Sequence, residues 1–167
     1  MEVTFQRHWV SRMAESLIGE ITKQMSGIQL LLLQDAQPPD HLVDEMDAAY
    51  GRVEGDYQMF MQLRAEKKLF YRFAENMIGD KPEDQSEVED YATEFFNVLC
   101  GRFVSELYIA TGRAARFFPT TYERPPDVSA LDGQVCSLYF ISEKNEYAVF
   151  SWTAASVNQL IRRTANG

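Results

Sequence analysis

Hydrophobic residues recur at the spacing of an amphipathic helix in three segments of the chain, 4–25, 65–78 and 87–110. The first segment is followed by Gly27 and the second by Gly79, where glycine favours the end of a helix. The pattern therefore predicts three helices, with the longest near the middle of the chain.

Alternating hydrophobic and polar residues predict two β-hairpins. Segments 46–53 and 57–63 alternate and are separated by Glu54-Gly55-Asp56, a turn sequence. Segments 135–142 and 147–152 alternate in the same way. Strands that occur in such pairs indicate an antiparallel sheet.

Shorter signals complete the predicted order of elements. Single strands are predicted at 28–34 and 114–122, and a last helix at 153–163 with Thr153 as its N-cap. Paired strands with helices between them are typical of an α+β fold rather than a βαβ fold. Strand, Pro-Pro-Asp loop, hairpin and helix occur twice, so we expect a pseudo-two-fold antiparallel sheet with two central helices packed on it and an N-terminal helix beside them.

Composition narrows the classes of function. The 167 residues are 46% hydrophobic, which favours a single globular domain over residues 1–167. The net charge of −9 argues against nucleic acid and against an anionic membrane surface as partners. No apolar run is long enough to span a bilayer and no secretory signal is seen, so we expect a cytoplasmic protein.

Cysteine and histidine are too sparse to indicate a metal centre or a nucleophilic site. Cys100 falls within a predicted helix and Cys136 within a predicted strand, so both are interpreted as small buried residues. His8 and His41 are not joined by other residues at the spacing of metal ligands. The sequence also has no glycine-rich phosphate loop. We therefore expect neither a metal site nor an intrinsic cofactor.

The helix predicted over 87–110 is the most informative element. Ser86 and Glu89 have the spacing of a capping box, which predicts its first turn. At 100° per residue, one side of the helix is hydrophobic and is predicted to be buried: Val88, Ala92, Phe96, Leu99 and Phe103. The other side faces outward: Glu87, Asp90, Glu94, Asn97, Gly101 and Ser105.

Two residues on the outward side are unusual for a helix. Asn97 is a poor helix former, and Gly101 costs about 1 kcal/mol relative to alanine in a helix interior. Glutamate and asparagine also occur on ordinary solvated faces, so the polar side alone does not indicate a site. A glycine that the core does not demand favours close approach of another molecule. The face is therefore interpreted as a contact surface.

The segment 93–103, Thr-Glu-Phe-Phe-Asn-Val-Leu-Cys-Gly-Arg-Phe, resembles the signature helix of the CheX/CheC/FliY phosphatases of bacterial chemotaxis. That signature is Glu-x-x-Asn with a glycine four residues later. Segment 73–79 resembles the end of the preceding family helix, and segment 118–121, Phe-Pro-Thr-Thr, resembles the Ser-Pro-Thr segment that follows the signature. Thr93 replaces the usual glycine, and the Phe95-Phe96 pair is bulkier than the usual aliphatic pair.

The chain carries one Glu-x-x-Asn motif, whereas CheC-like and FliY-like members usually carry two. Glu75 and Asn76 on the preceding predicted helix are adjacent and cannot share a helix face in the same way. One site per chain resembles CheX, and this resemblance implies a homodimer.

The resemblance implies a phosphatase that acts on the aspartyl-phosphate of a CheY-type receiver domain. Asn97 would hold the attacking water, Glu94 would pair with a lysine of the receiver, and Asp90 and Gly101 would lie in the docking surface. The receiver would supply Mg²⁺. Two alternatives remain: a non-catalytic module of the same fold that binds a signalling or flagellar-switch partner, and a small-molecule binder, which would require a deep pocket.

Overall fold

The described residues form a seven-stranded antiparallel sheet and the helices that accompany it. The computed structural model describes residues 2–123 and 135–153, with side chains described from residue 9 onward. The strands are β1 (Leu30–Leu32), β2 (Asp47–Gly55), β3 (Gln58–Ala65), β4 (Ala115–Phe117), β5 (Thr121–Glu123), β6 (Val135–Ser142) and β7 (Tyr147–Thr153). The helices are α1 (Glu2–Ser26), α2 (Asp40–Asp44), α3 (Lys67–Ile78) and α4 (Gln85–Thr111).

The sheet is built around the two predicted hairpins, and both are confirmed. β2 pairs with β3 over nearly their whole lengths, and β6 pairs with β7 in the same way. β3 also pairs with β7, so the strand order is β1-β6-β7-β3-β2-β4, with β5 on β2 beside β4. The predicted α+β antiparallel architecture is confirmed. The extent of the domain over residues 1–167 stays a prediction.

The strand predicted at 114–122 is two short strands, because Pro119 has no backbone N–H to continue the ladder. β4 and β5 both pair with β2 at separate positions. We call the three residues between them, 118–120, the strap. The predicted strand 28–34 shortens to β1 on the sheet edge, and a short helix, α2, begins at Asp40, the last residue of the first Pro-Pro-Asp sequence.

Two predictions concern the C-terminal part of the chain. Residues 154–163 of the predicted last helix and the second Pro-Pro-Asp loop, at 125–127, lie outside the described residues. Thr153, predicted as an N-cap, is the last residue of β7, and its Oγ1 accepts a hydrogen bond of 3.0 Å from the backbone N–H of Phe60.

The start of α4 differs from the predicted capping box at Ser86 and Glu89, which is wrong. Asp84 is the N-cap in an extended conformation, and its Oδ1 accepts a 2.9 Å hydrogen bond from the backbone N–H of Glu87. The Glu87 carboxylate in turn accepts a 2.6 Å hydrogen bond from the N–H of Glu83. Asp84 and Ser86 are both suitable N-cap residues. The helix begins after Asp84, because the Asp84 side chain reaches the free N–H groups of the first turn.

The predicted buried side of α4 is confirmed, and it is wider than the periodicity indicated. All five predicted residues are buried, and Phe95 and Cys100 join them. Phe95 stacks on Phe73 of α3 with ring centroids 4.9 Å apart, so α3 and α4 pack through aromatic rings. Burial raises the pKa of the Cys100 thiol well above its usual value, which makes it a core residue rather than a nucleophile.

Arg72 joins α3 to the turn between β6 and β7. Its guanidinium lies 2.5 Å from a carboxylate oxygen of Glu146 and 2.5 Å from one of Glu143. Glu146 is buried and also accepts a 2.7 Å hydrogen bond from the hydroxyl of Ser142. The hydrogen bond from Arg72 lowers the pKa of Glu143, and the backbone N–H of Gln29 also donates to that carboxylate.

Candidate functional site

The outward side of α4 presents the predicted site residues in one row. Asp90, Glu94 and Gly101 are exposed, whereas Asn97 is half-buried. Among residues 2–123 and 135–153, the Glu94 carboxylate has no hydrogen-bond or ion-pair partner. The structure thus brings a carboxylate and an amide, one helical turn apart, to the same surface.

Asn97 is less exposed than its position on the helix predicted, because the strap packs against its side chain. The hydroxyl of Thr120 donates a hydrogen bond to Asn97 Oδ1. The two residues are 23 positions apart in the chain, so helix periodicity does not reveal this contact. The resemblance of segment 118–121 to a family segment was the available signal, but it did not indicate a contact with Asn97.

The strap is fixed to the sheet on both sides of Thr120. The backbone N–H of Phe118 donates a 2.9 Å hydrogen bond to the carbonyl of Arg52 in β2. The guanidinium carbons of Arg52 and Arg116 lie 4.8 Å and 5.5 Å from the centroid of the Phe118 ring. These cation–π contacts and the flanking strands hold the strap at a defined height beside α4.

Gly51 of β2 makes room for the packing between the strap and α4. A Cβ atom at this position would lie 2.7 Å from the ring of Phe117 and 3.1 Å from the ring of Phe96. Phe96 immediately precedes Asn97, and Phe117 immediately precedes the strap. The helix that carries Asn97 and the strand that leads into the strap therefore pack together over Gly51. The two aromatic rings can come this close because Gly51 has no side chain.

Packing within the protein explains the glycine at position 51 but does not explain the one at position 101, Gly101. Outside the backbone of α4 itself, a Cβ atom at Gly101 would meet no heavy atom of the described residues within 4 Å. Beyond Asn97 the same helix also exposes Val98, Tyr108 and Ile109, with exposed fractions of 36%, 55% and 76%. The exposed side of α4 therefore continues from the Glu94–Asn97 pair into a partly apolar surface that would suit a protein partner.

Other features of the described chain lie away from this pair. Across residues 2–123 and 135–153, no three His, Cys, Asp or Glu side chains are grouped to hold a metal ion. A cleft of about 800 Å³ is lined by residues of α2 and by the first residues of β2 and α3. Its walls are mostly charged, whereas small-molecule pockets are mostly apolar, and it contains neither Glu94 nor Asn97.

Comparison with known proteins connects this geometry to a family. The sequence model of the chemotaxis phosphatase CheX family matches residues 48–125, a span that contains α4, the strap and Glu94 and Asn97. CheX from Desulfovibrio desulfuricans has the same fold, with a TM-score of 0.71 and 14% identity over 86% of this chain and 97% of that chain. The chain is CheX-like.

Further structures share the fold of this CheX-like chain. The CheX–CheY–BeF3–Mg²⁺ complex from Borrelia burgdorferi gives a TM-score of 0.60 at 14% identity over 84% of this chain and 92% of that chain. The FliM middle domain from Helicobacter pylori gives 0.67 at 7% identity over 98% of both chains. CheC-like and FliY proteins also match. No curated protein matches the sequence significantly.

Within the described ranges, every helix is too short or too polar to cross a bilayer.

Proposed function

We propose that this CheX-like domain stimulates hydrolysis of the aspartyl-phosphate of a response-regulator receiver domain. The observation that carries the proposal is the Glu94–Asn97 pair on the outward side of α4, with Asn97 held by Thr120. The family match and the fold shared with a CheX that has been solved with CheY support a receiver as partner. Such a substrate would place the reaction in the cytoplasm.

The proposed reaction is an in-line displacement at phosphorus. The water oxygen attacks the phosphorus atom while the bond from phosphorus to the aspartyl oxygen breaks, which yields a free carboxylate, inorganic phosphate and a proton. The side-chain amide of Asn97 has an oxygen that accepts from the water and an NH₂ that donates to a phosphoryl oxygen. Positioning of this kind supplies much of the rate in phosphoryl transfer. The receiver would bring Mg²⁺ with its phosphoryl group.

Glu94 would fix the docking register of the receiver. Its exposed carboxylate can pair with a lysine on the partner. Asp90 lies one turn before it on the same side of α4 and would add negative potential to the docking surface.

Removal of the Glu94 charge should weaken docking more than it slows chemistry. For Glu94→Gln we expect the Kd for a BeF3-treated receiver to rise about tenfold and its dependence on salt to become weaker. Titration by fluorescence or calorimetry at two salt concentrations measures both. Glu15→Gln, the same charge change at an exposed position of α1, is the matched control. Equal affinity for both variants would exclude Glu94 as the docking anchor.

Gly101 allows a comparison between folding and docking. Gly101→Ala should stabilise the domain by about 1 kcal/mol, because alanine is the better helix former and the added methyl would clash with no other element of the described residues. We expect its affinity for the receiver to fall about tenfold through overpacking of the interface.

Gly19→Ala in α1 is the matched control for that experiment, since a Cβ there would also meet no other element of the described part of the chain within 4 Å. Unfolding in urea and titration with the BeF3-treated receiver give the two quantities. A Gly101→Ala variant that docks as tightly as Gly19→Ala would remove Gly101 from the interface.

A second function is favoured by the likeness to the FliM middle domain, which extends over 98% of both chains. In that case the domain would bind a signalling or flagellar-switch partner without catalysis. Phosphate release from a panel of phosphorylated receivers separates the two functions. Docking without faster release supports the binding module. We also expect a homodimer, which light scattering of the purified protein would detect.

A further inference from the structure

We infer that Thr120 is a positioning residue for Asn97: its hydroxyl holds the side-chain amide in the orientation that presents the attacking water. The inference rests on the proposed phosphatase function and adds to it a residue outside α4. Thr120 belongs to the strap, not to the helix that carries the motif.

The hydrogen bond stabilises one of two orientations of the Asn97 amide, which differ by the exchange of its oxygen and nitrogen atoms. The terminal torsion of asparagine is broad and roughly two-fold, so oxygen and nitrogen can exchange places at little cost. In the structure the Thr120 hydroxyl donates to Asn97 Oδ1. Since the amide is planar, Nδ2 then points away from Thr120.

In this orientation the amide can still accept a hydrogen bond from water and donate one to a phosphoryl oxygen. An amide oxygen has two lone pairs, so Oδ1 can accept from Thr120 and from a water molecule together. A donor on the oxygen also polarises the amide and strengthens donation by its NH₂ group to a phosphoryl oxygen. Thr120 therefore acts through Asn97 rather than on the substrate.

The donor is in place before any partner arrives. Pro119 fixes the backbone next to Thr120, and the N–H of Phe118 is hydrogen-bonded to Arg52 on β2. β5 begins at Thr121 and pairs with β2 directly after the strap. Asn97 is fixed from its own side by the buried Phe96. Groups that are ordered in advance need not be ordered during the reaction, which favours turnover.

The test compares three substitutions in the full chain. Thr120→Val keeps the branched shape and removes the hydroxyl, Thr120→Ser keeps the hydroxyl, and Thr121→Val changes the neighbouring exposed threonine as a matched control. We expect Thr120→Val to lower the kcat of phosphate release about five- to tenfold, the value of one hydrogen bond. Its Kd for the BeF3-treated receiver should stay unchanged. Thr120→Ser and Thr121→Val should keep turnover near that of the wild type.

A double-substitution cycle separates positioning from a structural role. In an Asn97→Ala background, Thr120→Val should have no further effect on the residual rate, because the group that it positions is absent. Wild-type turnover by Thr120→Val, or an equal further loss in the Asn97→Ala background, would overturn the inference.

An activity-independent readout covers the case in which no receiver is dephosphorylated, which would refute the proposed function. In NMR spectra of the free protein, the Nδ2 protons of Asn97 should show an ordered, shifted pair in the wild type and in Thr120→Ser. In Thr120→Val they should move towards the values of a free side chain. An Asn97 signal that is unchanged in Thr120→Val would show that the hydroxyl does not hold the amide.

Discussion

Asn97→Ala should reduce the stimulated release of phosphate from a phosphorylated receiver by a factor of at least about 100, the loss typical for a group that acts in the transition state. The variant loses both the acceptor for the water and the donor to the phosphoryl oxygen. The measurement is the decay of phosphorylated receiver with and without the variant, corrected for spontaneous hydrolysis.

Docking should survive this change, since the carboxylate of Glu94 remains exposed and untouched. Titration with the BeF3-treated receiver tests that expectation. Gln24→Ala, which removes an exposed side-chain amide from α1, is the matched control and should leave both quantities unchanged. Stimulated release at the wild-type rate by Asn97→Ala would refute the mechanism, and loss of docking would place Asn97 in binding instead.

Arg72→Ala should destabilise the fold by about 3–5 kcal/mol, because it leaves the buried carboxylate of Glu146 without its partner. The side chains of Arg72 and Glu146 are 11% and 5% exposed, and their closest atoms lie 2.5 Å apart. Unfolding in urea measures the difference. Lys68→Ala breaks a longer, more exposed pair with Glu66 and should cost less than about 1 kcal/mol. A similar loss for both variants would contradict the role of burial.

The same variant should change how stability depends on pH. The hydrogen bond from Arg72 makes the pKa of Glu143 lower in the folded chain than in the unfolded chain. Its stabilisation is therefore complete above the unfolded pKa and is lost as the pH falls through the folded pKa. Without Arg72 the acid side of the stability curve should be flatter, which unfolding at a series of acidic pH values would show.

Periodicity predicted the parts of the fold that depend on neighbours in sequence. The segments with alternating residues located both hairpins, because the partner of each strand follows within a few residues. Burial alternates less than the sequence does, since β7 is buried on both faces from Ala148 to Thr153. Helical spacing placed Glu94 outward and Phe96 inward on α4 as the structure has them. Local competition was harder to predict: Asp84 and Ser86 both suit a cap, and the sequence does not show which side chain reaches the first turn.

Periodicity does not predict contacts between segments that are far apart in the sequence. The hydrogen bond from Thr120 to Asn97 depends on how β4 and β5 divide along β2, and the division follows from a single proline. Gly51 matters for a similar reason, since its role depends on rings from two other elements. The roles of Asp90, Glu94, Asn97 and Gly101 in binding or catalysis stay predictions.

The attachment of the strap to β2 has a consequence for how such a site can change. Each of the flanking strands β4 and β5 spans three residues, whereas β2 and β3 are joined over eight paired positions. The strap can therefore accept substitutions, or be exchanged for another segment, with little cost to the hairpins. The two partners of one hydrogen bond thus lie on elements of different kinds: Asn97 belongs to a long helix packed in the core, and Thr120 belongs to a short segment at the side of the sheet.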